Sequence, residues 1–227
     1  MSDVFISYSR KDIAFARLIR EALQQSQLEP WIDWERIPVG ERWWTEITQA
    51  IQNANVFMFI ISRHSVGSQV CKAEIDLALQ NNKRIIPIVV DDLPPQAIKE
   101  FAPELPQFNW IIFEQDHIFQ LQENPAAQAE KPEDRVQALP LLPQFEEALK
   151  KLSSAIHTDW DWVKFHTRLQ VDALRWENNQ RDPGYLIRAA ELEEAEQQVL
   201  RAGGKDPQPT ALQAEFITAS RQEETRR

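Results

Sequence analysis

The first half of the chain alternates short apolar runs with amphipathic stretches, the pattern expected when crossover helices connect the strands of a parallel sheet. Val4-Phe5-Ile6 reads as a short buried strand. Beyond the polar turn Ser7-Tyr8-Ser9-Arg10, Asp12 stands where a helix cap belongs, and Phe15, Leu18, Ile19, Ala22 and Leu23 follow with the spacing of one helix face. A second strand is predicted near residues 28–32. A polar loop through Asp33, Arg36, Pro38 and Gly40 then leads to a helix with Trp43, Ile47, Ala50, Ile51 and Ala54 on one side. Residues 56–61 are apolar without alternation, as in a central strand covered on both faces. A helix over 68–80 is expected to bury Cys71, Ile75, Ala78 and Leu79. The fourth strand, 85–90, contains Pro87, which lacks a ladder donor and so belongs at a bulge, a strand end or an unpaired edge. Residues 109–113 supply a fifth strand, and 115–136, rich in Gln, Glu and Pro, an exposed loop. Phe145, Ala148, Leu149, Leu152 and Ile156 form the face of a helix that closes the unit near residue 157.

The pattern then becomes helical only. Trp162, His166, Leu169, Ala173 and Trp176 recur at steps of four and three, the spacing of a coiled-coil seam over two heptads, and suggest a stripe through which copies associate. Asp182-Pro183-Gly184 breaks this helix. A second runs from about residue 185 to Gly203-Gly204, and Thr210 with Gln213 resembles a capping box opening a third that carries Leu212, Phe216 and Ala219. The predicted division is 1–157 for the α/β unit and 158–227 for a helical extension.

Composition narrows the function. With 227 residues, 43% of them hydrophobic, the chain supports one principal domain and an appendage. A net charge of -10 disfavours a broad phosphate-neutralising surface, so no nucleic-acid partner is expected. The single cysteine, Cys71, has no disulfide partner within the chain, and without a Cys/His cluster at ligand spacing no metal is expected. No apolar run is long enough to span a bilayer and Met1-Ser2-Asp3 does not open a signal peptide, which points to a cytoplasmic protein without membrane contact.

Three separated motifs carry a resemblance. They are Asp3-Val4-Phe5-Ile6-Ser7-Tyr8-Ser9, then Trp31-Ile32-Asp33 followed by Arg36, Pro38 and Gly40, then Ser62-x-x-Ser65-x-x-Ser68-x-x-Cys71-x-x-Glu74. In order and spacing they closely resemble the signature boxes of TIR (Toll/interleukin-1 receptor) domains, over roughly residues 1–157. The resemblance implies a flavodoxin-like α/β fold, a five-stranded parallel sheet flanked by helices, here followed by the all-helical extension; the strand count above agrees. The tail, with Asp182-Pro183-Gly184-Tyr185-Leu186 and residues 215–221, looks like the segment joining an effector to a sensor module in bacterial multidomain signalling proteins.

Many TIR domains cleave NAD+ between nicotinamide and ribose, as glycohydrolases or as cyclases. The resemblance therefore implies an NAD+ nucleosidase, with NAD+ as substrate and no cofactor, switched on by self-association in bacterial immune or stress signalling such as antiphage defence. Glu74 matches the family's catalytic glutamate. It lies about 60° round the helix from Cys71, at the edge of the apolar face. By the same resemblance Tyr8, Arg10, Asp33, Trp43 and Ser62 are substrate-binding candidates, while Arg36, Pro38 and Gly40 belong to the family's BB loop, an interface with a neighbouring protomer. Val70 departs from the pattern, since several active relatives carry tryptophan there.

Each feature also has an ordinary explanation. Glu74 alone would be a solvated helix carboxylate, Cys71 an inert core thiol, and His166 a satisfied packing histidine. The serines at 62, 65 and 68 are turn and capping residues first. Two other functions compete with catalysis: a non-enzymatic adaptor that binds other TIR domains, and a flavodoxin-like nucleotide-binding or receiver protein, which the absence of a Gly-rich phosphate loop and a total of 5 glycines disfavour.

Overall fold

The computed structural model describes residues 2–32, 41–113 and 143–226. Five parallel strands, β1 (Val4–Ser7), β2 (Pro30–Trp31), β3 (Val56–Ile61), β4 (Arg84–Val89) and β5 (Ile111–Ile112), lie in the order β2-β1-β3-β4-β5. The predicted loop at 115–136 falls outside the described residues, as do Asp33, Arg36, Pro38 and Gly40.

Every residue of β3 is buried, and its two faces feed two different cores. Val56, Met58 and Ile60 join Val4 and Ile6 of β1 under α1 (Ile13–Gln25) and α5 (Pro143–His157). Phe57, Phe59 and Ile61 join Phe5 under α2 (Glu41–Asn53), α3 (Gln69–Gln80) and α4 (Pro95–Phe101). The period-2 alternation of a strand, invisible as polarity because both faces are apolar, here sorts side chains between helical layers.

Several local readings need correction. Asp12 occupies the N-cap position of α1 but makes no cap bond; its carboxylate accepts from Ser62 Oγ at 2.5 Å. Ser9 instead caps the 3-10 turn Arg10–Asp12. Leu79 is only half buried, and Glu74 takes its place on the buried face of α3. α4 and the 3-10 turn Leu105–Gln107 were not foreseen; each offers one buried apolar residue, Ile98 or Leu105, too few to show a period.

Pro87 lies inside β4, level with Phe59 of β3. Val90 N donates to Ile61 O on the β3 side, while Val89 O accepts from Phe113 N on the β5 side. Parallel strands alternate sides residue by residue, so the missing donor of Pro87 faces β5, whose pairing begins only at Ile88. The unpaired edge expected for this proline is there.

α6 (Trp160–Asn178) carries the predicted stripe, and this chain's own helices cover it. Trp162, Leu169, Ala173 and Trp176 pack with Ala195 of α7 (Ala189–Leu200) and Phe216 of α8 (Ala211–Thr225). A two-heptad apolar seam is satisfied equally by helices folding back on it. The capping box is formed: Thr210 Oγ1 accepts from Gln213 N at 3.0 Å, and Gln213 Oε1 from Thr210 N at 2.9 Å. The other side of α6 buries Val163 in the sheet's first core, so apolar packing continues across the 157/158 boundary. Among the described residues no helix is long and apolar enough to cross a membrane.

Polar contacts fasten the tail to the foot of β4. Arg84 donates to the carbonyls of Ala155, Thr158 and Asp206, and Asn82 Nδ2 to the Gln208 carbonyl. Trp162 Nε1 donates to Pro207 O at 2.8 Å. Lys83 Nζ donates to Gln52 O at 2.6 Å and Ala54 O at 3.0 Å, placing its charge at the negative end of α2. Burial pushes the Lys83 ammonium down to about 7. Burial, then the Lys83 charge, takes His166 down to about 4, against the opposing bond to the Gln208 carbonyl.

Both groups bind protons less readily folded than unfolded, so stability rises with pH between each folded and unfolded pKa. For Lys83 that window runs upward from about 7 to the ordinary lysine value; for His166, from about 4 to the ordinary histidine value. The melting temperature is expected to climb from neutral to alkaline pH in the wild type and to lose most of that slope in Lys83→Met. Scanning fluorimetry across the range checks this, and equal slopes would contradict the Lys83 assignment.

Candidate active site

In a parallel sheet of order 2-1-3-4-5 the connections from β1 and β3 leave in opposite directions, and the crevice between their carboxyl ends is where ligands bind. Ser7 is the last residue of β1. Two residues beyond Phe5, it points to the same face, toward α2 and α3. α3 is set by its start: Gly67 adopts φ 97, a left-handed conformation that favours glycine, and Ser68 Oγ then accepts from Cys71 N at 3.3 Å as the N-cap. One turn on, Glu74 reaches back to β1. Ser7 Oγ donates to Glu74 Oε2 at 2.5 Å, with Ser7 1% and Glu74 6% exposed.

Glu74 of this pair lines a cleft of about 350 Å³. Tyr8 and Arg10 border it from the loop after β1, Trp43 from α2, and Val70, Cys71 and Glu74 from α3. Four of the sequence candidates, Tyr8, Arg10, Trp43 and Glu74, are thus brought together. Lys11 adds a second cation to the lining. Among the described lining residues Glu74 is the sole carboxylate.

Ser62 is not in the cleft. It is fully buried, donates to Asp12, and its Oγ accepts from the amides of His64 and Ser65 at 3.0 Å each. It fastens the end of β3 to the start of α1, leaving no free hydroxyl for substrate. Burial raises the Asp12 carboxyl above its usual range, with the Ser62 bond opposing.

Cys71 sits beneath the pair. Burial pushes its thiol up to about 11; the Glu74 charge adds to the rise, while the Ser68 and Ser7 hydroxyls oppose it. A thiol so held is not a nucleophile at neutral pH.

The residue that sequence reasoning passed over is Ser7, quoted in a motif but given no role. Its signal was available: it is the polar residue closing the apolar run of β1, on the parity of Phe5. What the sequence does not display is that a helix 67 residues later meets it.

The sequence matches the TIR domain family over residues 4–130, more than half of the chain. The chain belongs to the TIR domain family. Among curated proteins it is similar to BdTIR of Brachypodium distachyon, described as a probable 2' cyclic ADP-D-ribose synthase, with 29% identity over 126 residues, 51% of this chain and 56% of that protein. The chain thus spans little more than half the length of that relative. Among solved structures it is similar to the TIR domain of the Toll-related receptor TRR-2 from Hydra magnipapillata, at 19% identity and TM-score 0.40, covering 50% of this chain and 85% of that one. It is also similar to the TIR domains of the activated Roq1 resistosome that recognises the pathogen effector XopQ, at 14% identity and TM-score 0.44, covering 69% and 99%.

The cleft's chemistry sets a simple expectation for Cys71. At about pH 8 a maleimide should leave the native protein unlabelled and modify it fully in denaturant, as mass spectrometry reads directly. Labelling of native protein at the rate of an exposed thiol would contradict the buried placement.

Proposed function

We propose that this chain cleaves the bond between nicotinamide and ribose in NAD+, with Glu74 as the catalytic carboxylate. The observation that carries the reading is the buried Glu74 carboxylate in a cleft at the strand-order switch point, where the described lining residues also offer an indole and two cations. Breaking this bond leaves positive charge on the ribose, and a carboxylate against the sugar stabilises it. Hydrolysis of ordinary glycosides uses a second, protonated carboxyl to assist the leaving group. Nicotinamide departs from its cationic form as a neutral molecule and needs no such acid, so one carboxylate suffices.

The other lining residues fit the remaining substrate. Arg10 and Lys11 suit the diphosphate, and Trp43 and Tyr8 offer faces to a planar ring. By resemblance, Asp33 adds a substrate contact and the loop with Arg36, Pro38 and Gly40 meets a second protomer, so that self-association completes the site. BdTIR's described activity brings capture of the ribosyl cation by the substrate's own hydroxyl into the proposal beside capture by water. A role in bacterial immune or stress signalling, with a sensor joined through the tail, belongs to the same reading.

One observation favours the adaptor. Val70, 42% exposed at the cleft, offers no aromatic face where several active relatives have tryptophan. Incubating the purified chain with NAD+, with and without a crowding agent, and separating products by chromatography tests the two readings. Nicotinamide release that rises with assembly and falls by roughly a hundredfold or more in Glu74→Ala supports the enzyme. No release from demonstrably assembled protein supports the adaptor, and the co-product separates hydrolysis from cyclisation.

A further inference from the structure

We propose that Ser7 is the positioning residue of the site, holding the Glu74 carboxylate ionised and aimed into the cleft; the inference rests on the reading of Glu74 as the catalytic carboxylate. The separation of 2.5 Å lies at the short end for a hydroxyl donating to a carboxylate, where such bonds are charge-assisted and stronger than neutral ones. The serine proton is far too weakly acidic to leave, so the hydroxyl donates and the carboxylate accepts.

Two consequences follow. First, a bond to the charged form favours ionisation, which offsets the tendency of burial to neutralise a carboxyl. Glu74 is 6% exposed, and the Ser7 bond acts in the direction that lets it meet a developing cation as an anion. Second, a glutamate side chain is long and rotamer-rich, and α3 fixes only its backbone. Ser7 fixes the other end from β1, so the carboxylate is held between two elements that flank the switch point. The bond engages Oε2, one of the two carboxylate oxygens.

Ser7 is well placed to be rigid. It is paired in register with Phe59 of β3, and its strand is buried throughout. The cleft-lining residues Tyr8, Ser9 and Arg10 follow directly after it, so Ser7 meets Glu74 from just behind the cleft wall.

The test uses the full chain with Ser7→Ala, Ser7→Thr and Glu74→Gln, following nicotinamide release against pH. In Ser7→Ala, kcat is expected to fall roughly ten- to a hundredfold, with KM little changed. The acid limb of its kcat profile should move up by about one pH unit, because the carboxylate has lost a bond that favours its charge. Ser7→Thr, which keeps the hydroxyl, should restore the limb. Melting curves on each variant show that it folds, and should the threonine methyl prevent folding, the Ser7→Ala limb gives the answer alone. A parallel 13C NMR titration of the Glu74 carboxyl, assigned with Glu74→Gln, requires no turnover and should show the same upward movement in Ser7→Ala. An unmoved Glu74 titration overturns the inference, as does a lower kcat with the limb in place, which is the mark of a merely structural serine. Full activity in Glu74→Gln overturns the underlying reading instead, whatever Ser7 does.

Discussion

The constraint on which the structure depends is that β3 has no polar side. A strand whose six residues are all buried must have a helical layer on each face, and short parallel neighbours with crossover helices satisfy that requirement. Once the layers are in place, alternation along β1 sends Val4 and Ile6 to one core and Phe5 to the other. Ser7 inherits the side of Phe5. The crevice at the carboxyl ends of β1 and β3 follows from the strand order, and the chemistry of the cleft from which side chains happen to be last on their elements.

Much of this was legible in the sequence where a long element announces itself by period. β3, the faces of α1, α2 and α5, and the capping box of Thr210 and Gln213 all stand where pattern reasoning puts them. Short elements were legible only in outline. β2 and β5 have two residues each, less than one full alternation, and α4 has a single buried apolar side chain. Polar pairings between distant segments were not legible at all. Asp12 looked like a cap because its position was right, yet the hydroxyl of Ser62, 50 residues on, competes for the same carboxylate. For the same reason Ser62, which a motif marked as a ligand residue, turned out to be occupied. The motif residues Tyr8, Arg10, Trp43 and Glu74 were identifiable by resemblance, whereas the bond between Ser7 and Glu74 exists only after β1 and α3 have been brought together.

The helical tail teaches a related lesson. Its stripe of Trp162, His166, Leu169, Ala173 and Trp176 has the spacing of a seam between chains, but periodicity reports only that a face must be covered, not by what. Here α7 and α8 supply the cover. The change of pattern near residue 158 is real as a change of element type, but Val163 packs into the sheet's core from beyond it.

The grip of the tail on Asn82 and Arg84 lies where β4 begins, and the cleft lies where β1 ends. In a parallel sheet these are opposite ends, and a six-residue strand separates them by roughly 20 Å. The molecule therefore has a handle and a mouth. The tail is held at the handle, and none of its described residues lines the mouth.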